Sequence, residues 1–410
     1  MDARVAHWQR QNSAHSHPCQ PKQKWKGSCR CEEERIHFAQ RKFRDDEAAP
    51  IQEVASGKER PRNDIINMPP TRIIIDTDPG VDDALTFLLA LASPEIQLEA
   101  LTTVQGNVAI EKTTRNALSV LEFLKAGDIP VARGCSRPLV KAPHASGEAV
   151  HGSGGMGRTN LPDPASKPIE AHAIDYLIER FMAEPKQISL FAIGPLTNVA
   201  LAIRKEPRIV DAVRELVIMG GAIRSGGNIT PLAEFNVHED PHAAHIVFHS
   251  GIPITLIPLD STYKCLLTGD DIERLNKIDS SIARFVRDAT ADYMAFYLKY
   301  EGFNGCALHD PLTLAAIIAP ELLTLEEHYV SVDISGGVST GKTYADFMKV
   351  SKQPANMKVA LDVKGREFVE LFLERIMSLR GGVARIAPRR RSNLQADGEI
   401  ASSRRSRSSQ

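Results

Sequence analysis

The sequence predicts an α/β protein built on one large, open, mostly parallel sheet with helices on both faces. Three observations carry that expectation. Short, continuously apolar runs such as Ile73 to Ile75 and Ile188 to Ile193 recur along the chain, amphipathic stretches separate them, and polar segments rich in Gly and Asn follow several of them. Strands that are apolar throughout are buried on both faces, and such strands belong to parallel sheets sandwiched between helices.

Taken in order, the β-branched run Ile73 to Ile75 makes the first strand. Pro79-Gly80 turns the chain, and Asp82-Asp83 open the apolar helix Ala84 to Ala92. Leu98 to Val104 follows as a strand, Glu111 to Ala126 as a helix and Ile129 to Ala132 as a short strand. A helix from Glu170 to Met182 leads to the strand Ile188 to Ile193 and the helix Leu196 to Lys205. Leu216 to Met219 and Ile254 to Pro258 are two more strands, with a helix from Pro241 to His249 between them. Val330 to Ile334 is a strand that turns back as a hairpin through a glycine-rich segment.

These elements occupy 71–380, about 310 residues, the size of one large domain. Residues 1–70 lack apolar periodicity and residues 381–410 form a basic Arg/Ser tail, so both ends read as weakly structured extensions. Met68 is an alternative start, lying just ahead of the core. A net charge of −1 gives no general attraction to nucleic acid. No apolar run is long enough to span a membrane, and neither a secretory nor a mitochondrial leader is recognisable. Six cysteines without a CxxC pair suit a reducing, cytoplasmic setting. His15, His17, Cys19, Cys29 and Cys31 match no zinc spacing.

The chemistry concentrates in Asp76-Thr-Asp-Pro-Gly-Val-Asp-Asp83, at the carboxyl end of the first strand, where open α/β sheets bind their ligands. Asp78, Asp82 and Asp83 crowded there repel one another unless a cation sits between them, and all-oxygen ligands select Ca²⁺ or Mg²⁺. A plain helix cap explains one such Asp, not four. Other strand-end loops carry Gln105-Gly-Asn107, Gly194-Pro-Leu-Thr-Asn198, Met219-Gly-Gly221, Glu234-Phe-Asn236 and His309-Asp310. Each alone is compatible with a turn, but the topology can bring them to one rim.

Together with His151-Gly152, these segments resemble the inosine-uridine preferring nucleoside hydrolase family, in its order and about its spacings, over nearly all of 71–380. The resemblance implies Ca²⁺-dependent hydrolysis of the N-glycosidic bond of ribonucleosides, releasing base and ribose for purine and pyrimidine salvage. It implies a calcium ion held by Asp78, Asp83, Asp310 and the carbonyl of Ile193, with Asp78 as general base on a water bound to that ion. Asp82, Asn107, Asn228, Glu234 and Asn236 would bind the ribose, Met219 would line its pocket, and His151 would lie near the base. His309 would assist the departing base or merely orient Asp310. A homodimer or homotetramer is implied as well. The run Ser153-Gly-Gly-Met-Gly157 lacks the acidic residue often found after His-Gly in this family, which leaves the preferred base open, and the stretch 225–228 carries a residue more than some members. Tyr293, Tyr297 and Tyr300 belong either to a lid or to ordinary helix packing.

Three rival readings follow from the residues. Gly336-Gly-Val-Ser-Thr-Gly-Lys-Thr343 matches the P-loop of nucleoside triphosphatases, although the short alternating segment after it reads as a hairpin, not the required helix. A phosphatase of the haloacid dehalogenase type also begins with Asp-x-Asp, but leaves Asp82-Asp83, Glu234-x-Asn236 and His309-Asp310 unexplained. A non-catalytic nucleoside or ribose binder needs no candidate base beside a cation.

Overall fold

The computed structural model describes residues 69–142, 147–302 and 304–379. The expectations for 1–68, for the basic tail and for the His15 to Cys31 cluster lie outside these residues. Eight strands form one sheet: β1 (Thr71–Thr77), β2 (Ile96–Thr103), β3 (Val131–Arg133), β4 (Ile188–Ala192), β5 (Leu216–Met219), β6 (Ile254–Ile257), β9 (Leu323–His328) and β12 (Met357–Val363). Their order is β3-β2-β1-β4-β5-β6-β12-β9, and every pairing is parallel except β12 with β9. The mostly parallel sheet is therefore as the apolar runs predict.

Its strand order positions the site. The chain leaves β1 outward through β2 to β3, then returns to lay β4 on the other side of β1. This reversal opens a crevice beyond the carboxyl ends of β1 and β4. Asp76 pairs across the sheet with Thr102 of β2 and Ala192 of β4, so both neighbouring strands end level with the acidic loop.

Successive strand residues point to opposite faces, and the core divides accordingly. Ile73, Ile75, Phe191, Val217 and Ile257 pack on one face. Ile74, Leu190, Ala192, Leu216, Ile218 and Leu256 pack on the other. At about 1.5–3 kcal/mol for each large apolar side chain fully buried, this double-sided core fixes the strand ends to which the loops are tied.

Where boundaries differ from expectation, local chemistry explains it. The first helix begins earlier, spanning Val81–Ala92, because the Asp83 carboxylate accepts the Gly80 N–H at 2.8 Å and caps it. The helix expected from Glu170 starts at Ala173, since Ile169 is still extended and donates its N–H to the Val131 carbonyl at 2.9 Å. Unforeseen were the antiparallel edge strand β9, strand β12, the helices Ser281–Phe296 and Gly365–Ser378, and the pair β7 (Leu266–Thr268) and β8 (Gly305–Ala307). The P-loop match is a hairpin: β10 (Val330–Val332) pairs antiparallel with β11 (Thr343–Ala345), so Thr343 opens a strand where a P-loop would open a helix.

Candidate active site

Asp78 stands just past the end of β1, almost fully buried. One oxygen, Oδ2, accepts the Asn107 N–H at 2.7 Å, while Oδ1 is buried without a hydrogen-bond partner. Two glycines make room for this carboxylate. A Cβ at Gly106 would lie 2.0 Å from Oδ2, and one at Gly194 would lie 2.6 Å from Oδ1. The glycine of Gly106-Asn107 and that of Gly194-Pro195 thus serve the same side chain.

Around it the remaining acids converge. Asp82, Asp83 and Asp310 each offer a carboxylate oxygen, and these oxygens lie within 4.8 Å of one another. Asp83 is held by the Thr77 hydroxyl and by the Asn107 amide, which reaches its Oδ2 at 3.3 Å. Burial raises the pKa of all four acids, and their mutual repulsion adds to it at Asp78, Asp82 and Asp310. The Asp82 carboxyl is pushed up to about 8, by burial and then by Asp83. An orphaned buried oxygen beside three converging carboxylates is a donor set that suits a hard cation. The tightest trio contains Asp82, whereas the resemblance names Asp78, Asp83 and Asp310.

The wall beyond β4 and β5 is tied to the same point. The Ile193 carbonyl accepts from the Asn236 amide at 3.0 Å, and Asn236 also reaches the Met219 carbonyl at 3.3 Å. Glu234, fully buried, caps the helix Phe235–Glu239: Oε1 accepts the Asn236 N–H, and Oε2 those of Gly221 and Val237. Asn228 accepts the Phe235 N–H at 2.9 Å. These side chains therefore build the wall as well as face the cavity.

At the opposite end lie aromatic and imidazole groups. His151 accepts the Val81 N–H on Nδ1 at 3.1 Å, and burial pushes its pKa down to about 4. The His309 ring is bonded on both nitrogens, Nδ1 to the Thr262 hydroxyl at 2.7 Å and Nε2 to the Tyr297 hydroxyl. Burial, then His151, lowers its pKa to about 3, so it is neutral at pH 7. Tyr293 donates to Asp82 at 3.4 Å and stands edge-on to Tyr297 with ring centroids 5.0 Å apart.

Most of these groups border one cleft that opens to solvent and measures about 650 Å³ with its open mouth included. Asp82, Asn107, His151, Ile193, Met219, Asn228, Glu234, Asn236, His309 and Asp310 line it. Asp78 and Asp83 are not among its lining residues; both are tied to Asn107, which is.

A family model described as inosine-uridine preferring nucleoside hydrolase matches residues 73–370. The chain belongs to that family. Two relatives show how evenly the likeness is spread. The inosine-uridine preferring nucleoside hydrolase of Crithidia fasciculata is 40% identical over 307 residues, 74% of this chain and 97% of that protein. The pyrimidine-specific ribonucleoside hydrolase RihA of Salmonella gallinarum is 40% identical over 309 residues, with the same coverage. Among solved structures, a purine-preferring ribonucleoside hydrolase from Gardnerella vaginalis superposes with a TM-score of 0.71 at 34% identity, over 75% of this chain and 98% of that one. The plant nucleoside hydrolase PpNRh1 gives 0.71 at 36% identity, over 75% and 99%. The chain is thus a hydrolase acting on ribonucleosides at the N-glycosidic bond, and the phosphatase and triphosphatase readings fall away.

Within this nucleoside hydrolase the sequence left several wall residues unnoticed. Thr262, Val150, Ile229 and Phe296 carry no motif. Tyr293 and Tyr297 did leave a signal, an i, i+4 aromatic pair shortly before His309. Both are buried at the cleft, whereas Tyr300 is exposed.

Proposed function

We propose that the protein is a calcium-dependent ribonucleoside hydrolase in which Asp78 is the general base and Asp78, Asp83, Asp310 and the Ile193 carbonyl hold the ion. The observation that carries this reading is the unpartnered, buried Asp78 Oδ1, set among carboxylates that burial and repulsion make unstable as free anions. Asp82, crowded against Asp83 and Asp310, belongs to the same charged floor and binds ribose. When bound, calcium supplies fixed positive charge and Lewis acidity next to the sugar hydroxyls.

Water adds to the anomeric carbon as the C–N bond breaks, and its proton passes to Asp78. The sugar ring gains positive charge in the transition state, which the surrounding carboxylates stabilise. Asn107, Asn228, Glu234 and Asn236 hold the ribose hydroxyls against Met219. The base lies towards His151, Tyr293 and the His309–Tyr297 pair. The base departs with the C–N electron pair and takes a proton from the hydrogen-bonded His309–Tyr297 pair, which Thr262 holds in place and solvent reprotonates. Replacing Asp78 with Asn tests the assignment. Turnover should fall by roughly 10²–10⁴-fold while ribose still binds; turnover near the wild-type rate would remove Asp78 from the mechanism.

Relatives of equal identity carry names with different base preferences, so both purine and pyrimidine nucleosides are proposed as substrates. Cys265 and Cys306 are buried and unpaired, which favours a cytoplasmic location. Among the described residues no helix is long and apolar enough to cross a membrane. A homodimer or homotetramer is proposed as well. Light scattering reads the mass directly.

A further inference from the structure

The P-loop-like run forms a hairpin, yet its last three residues are tied to the backbone that follows β5. Thr343 is completely buried, and its hydroxyl both accepts the Ala222 N–H at 2.7 Å and donates to the Ala222 carbonyl at 3.0 Å. The Lys342 ammonium donates to the same carbonyl at 2.7 Å and to that of Ile223 at 3.3 Å. Two glycines permit the approach. At Gly221 (φ +83°) a Cβ would lie 2.9 Å from the Thr343 hydroxyl oxygen, and at Gly341 (φ +84°) one would lie 2.9 Å from the His238 Cα.

Segment 220–225 leaves β5 and leads to Asn228, Glu234 and Asn236. Its amides and carbonyls are divided between charges of opposite sign. Asp260 accepts the N–H groups of Ile223, Arg224 and Ser225 at 2.8, 2.6 and 3.2 Å, while Lys342 takes the carbonyls of Ala222 and Ile223. The Gly221 N–H goes to Glu234 itself. Anion on the donors and cation on the acceptors is the arrangement that holds irregular backbone in one conformation.

We propose that the Gly341-Lys342-Thr343 turn is a positioning device for ribose binding. From behind the wall it fixes the segment that sets Asn228, Glu234 and Asn236, an inference that rests on those residues facing the sugar. Lys342 and Thr343 are not catalytic residues; they act through Ala222 and Ile223. Only a hydroxyl can satisfy both backbone groups of Ala222 at once, so Thr343→Ser preserves the lock and the isosteric Thr343→Val removes it.

The test compares wild type, Thr343→Val and Thr343→Ser for kcat, KM, ribose affinity by calorimetry, calcium affinity and melting temperature. Losing this hydrogen-bonded pair should raise KM and the ribose Kd about tenfold. The turnover number should change by less than about threefold, because the sugar wall is used in ground and transition states alike. Calcium affinity should stay unchanged, and Thr343→Ser should restore both constants. A Thr343→Val protein that melts earlier but keeps wild-type KM and ribose affinity would show a purely structural hairpin and overturn the proposal. Should that variant not fold, Lys342→Met, which leaves the Thr343 bonds in place, carries the same comparison, with a KM rise expected and an unchanged KM contradicting it. Wild-type protein that neither binds ribose nor hydrolyses any nucleoside would remove the sugar reading itself, a failure recognisable before any variant is made.

Discussion

At the scale of single residues, Asp78 depends on what its neighbours lack. Gly194 leaves no side chain where Asp78 Oδ1 lies, so Gly194→Ala puts a methyl 2.6 Å from that oxygen and must displace it. A shift of this size should cost on the order of 10²-fold in kcat/KM, measurable by steady-state ribose release. Wild-type kinetics in that variant would mean the carboxylate position is not critical. The His309–Tyr297 pair makes a separate prediction. Tyr297→Phe removes the hydroxyl at His309 Nε2 and should slow hydrolysis of natural nucleosides by roughly 10²-fold or more. It should leave a nitrophenyl riboside, whose leaving group needs no proton, nearly unaffected. Equal losses on both substrates would place Tyr297 in sugar binding instead. Asp78, Asp82 and Asp83 were legible from sequence because they fall within one stretch of six residues. Thr262 and the Tyr297–His309 bond were not, since their contact depends on how the helix Ser281–Phe296 and the chain after it return to the cleft.

At the scale of elements, the strand-to-helix turn from β1 into Val81–Ala92 concentrates carboxylates whose pKa values are raised on folding. A group whose folded pKa lies above its unfolded value stabilises the fold most at low pH, and that stability is lost as pH rises through the folded value. For Asp82 the window runs from its ordinary 3.8 to about 8, and Asp78, Asp83 and Asp310 shift in the same direction. Protein stripped of calcium should therefore melt lower at pH 8 than at pH 5, and calcium should restore more stability at pH 8. Scanning calorimetry with and without chelator checks this, and a calcium effect equal at both pH values would contradict it. The central strands β4, β5 and β6 were legible because their apolar runs are continuous; β9 was not. Leu323-Thr-Leu-Glu-Glu-His328 pairs on one side only, at the sheet edge, so most of it faces solvent and its sequence carries no continuous apolar run. The P-loop match shows the converse: a full motif whose glycines and lysine serve a hairpin, since function depends on the element that follows.

For the whole molecule, the two-sided core and the order β3-β2-β1-β4-β5-β6 bring loops from residues 76–83, 106–107, 193–198, 219–236 and 309–310 to one crevice. Their convergence could be foreseen from alternating strands and helices, but not which oxygens would meet. That depends on side-chain direction at each strand end and put Asp82 into the tightest trio. The family model covers residues 73–370. Protein started at Met68 should keep the melting temperature and kcat/KM of the full chain within about twofold, as expected when no essential contact precedes β1; loss of folding would show that the preceding residues belong to the core. The central claim is tested most directly by ribose release from a panel of purine and pyrimidine nucleosides, with calcium present and after its removal by chelator. Free base and free ribose should form in equal amounts, with release lost on chelation and regained when calcium is returned. Hydrolysis that continues undiminished in protein shown by metal analysis to hold no calcium would contradict the claim.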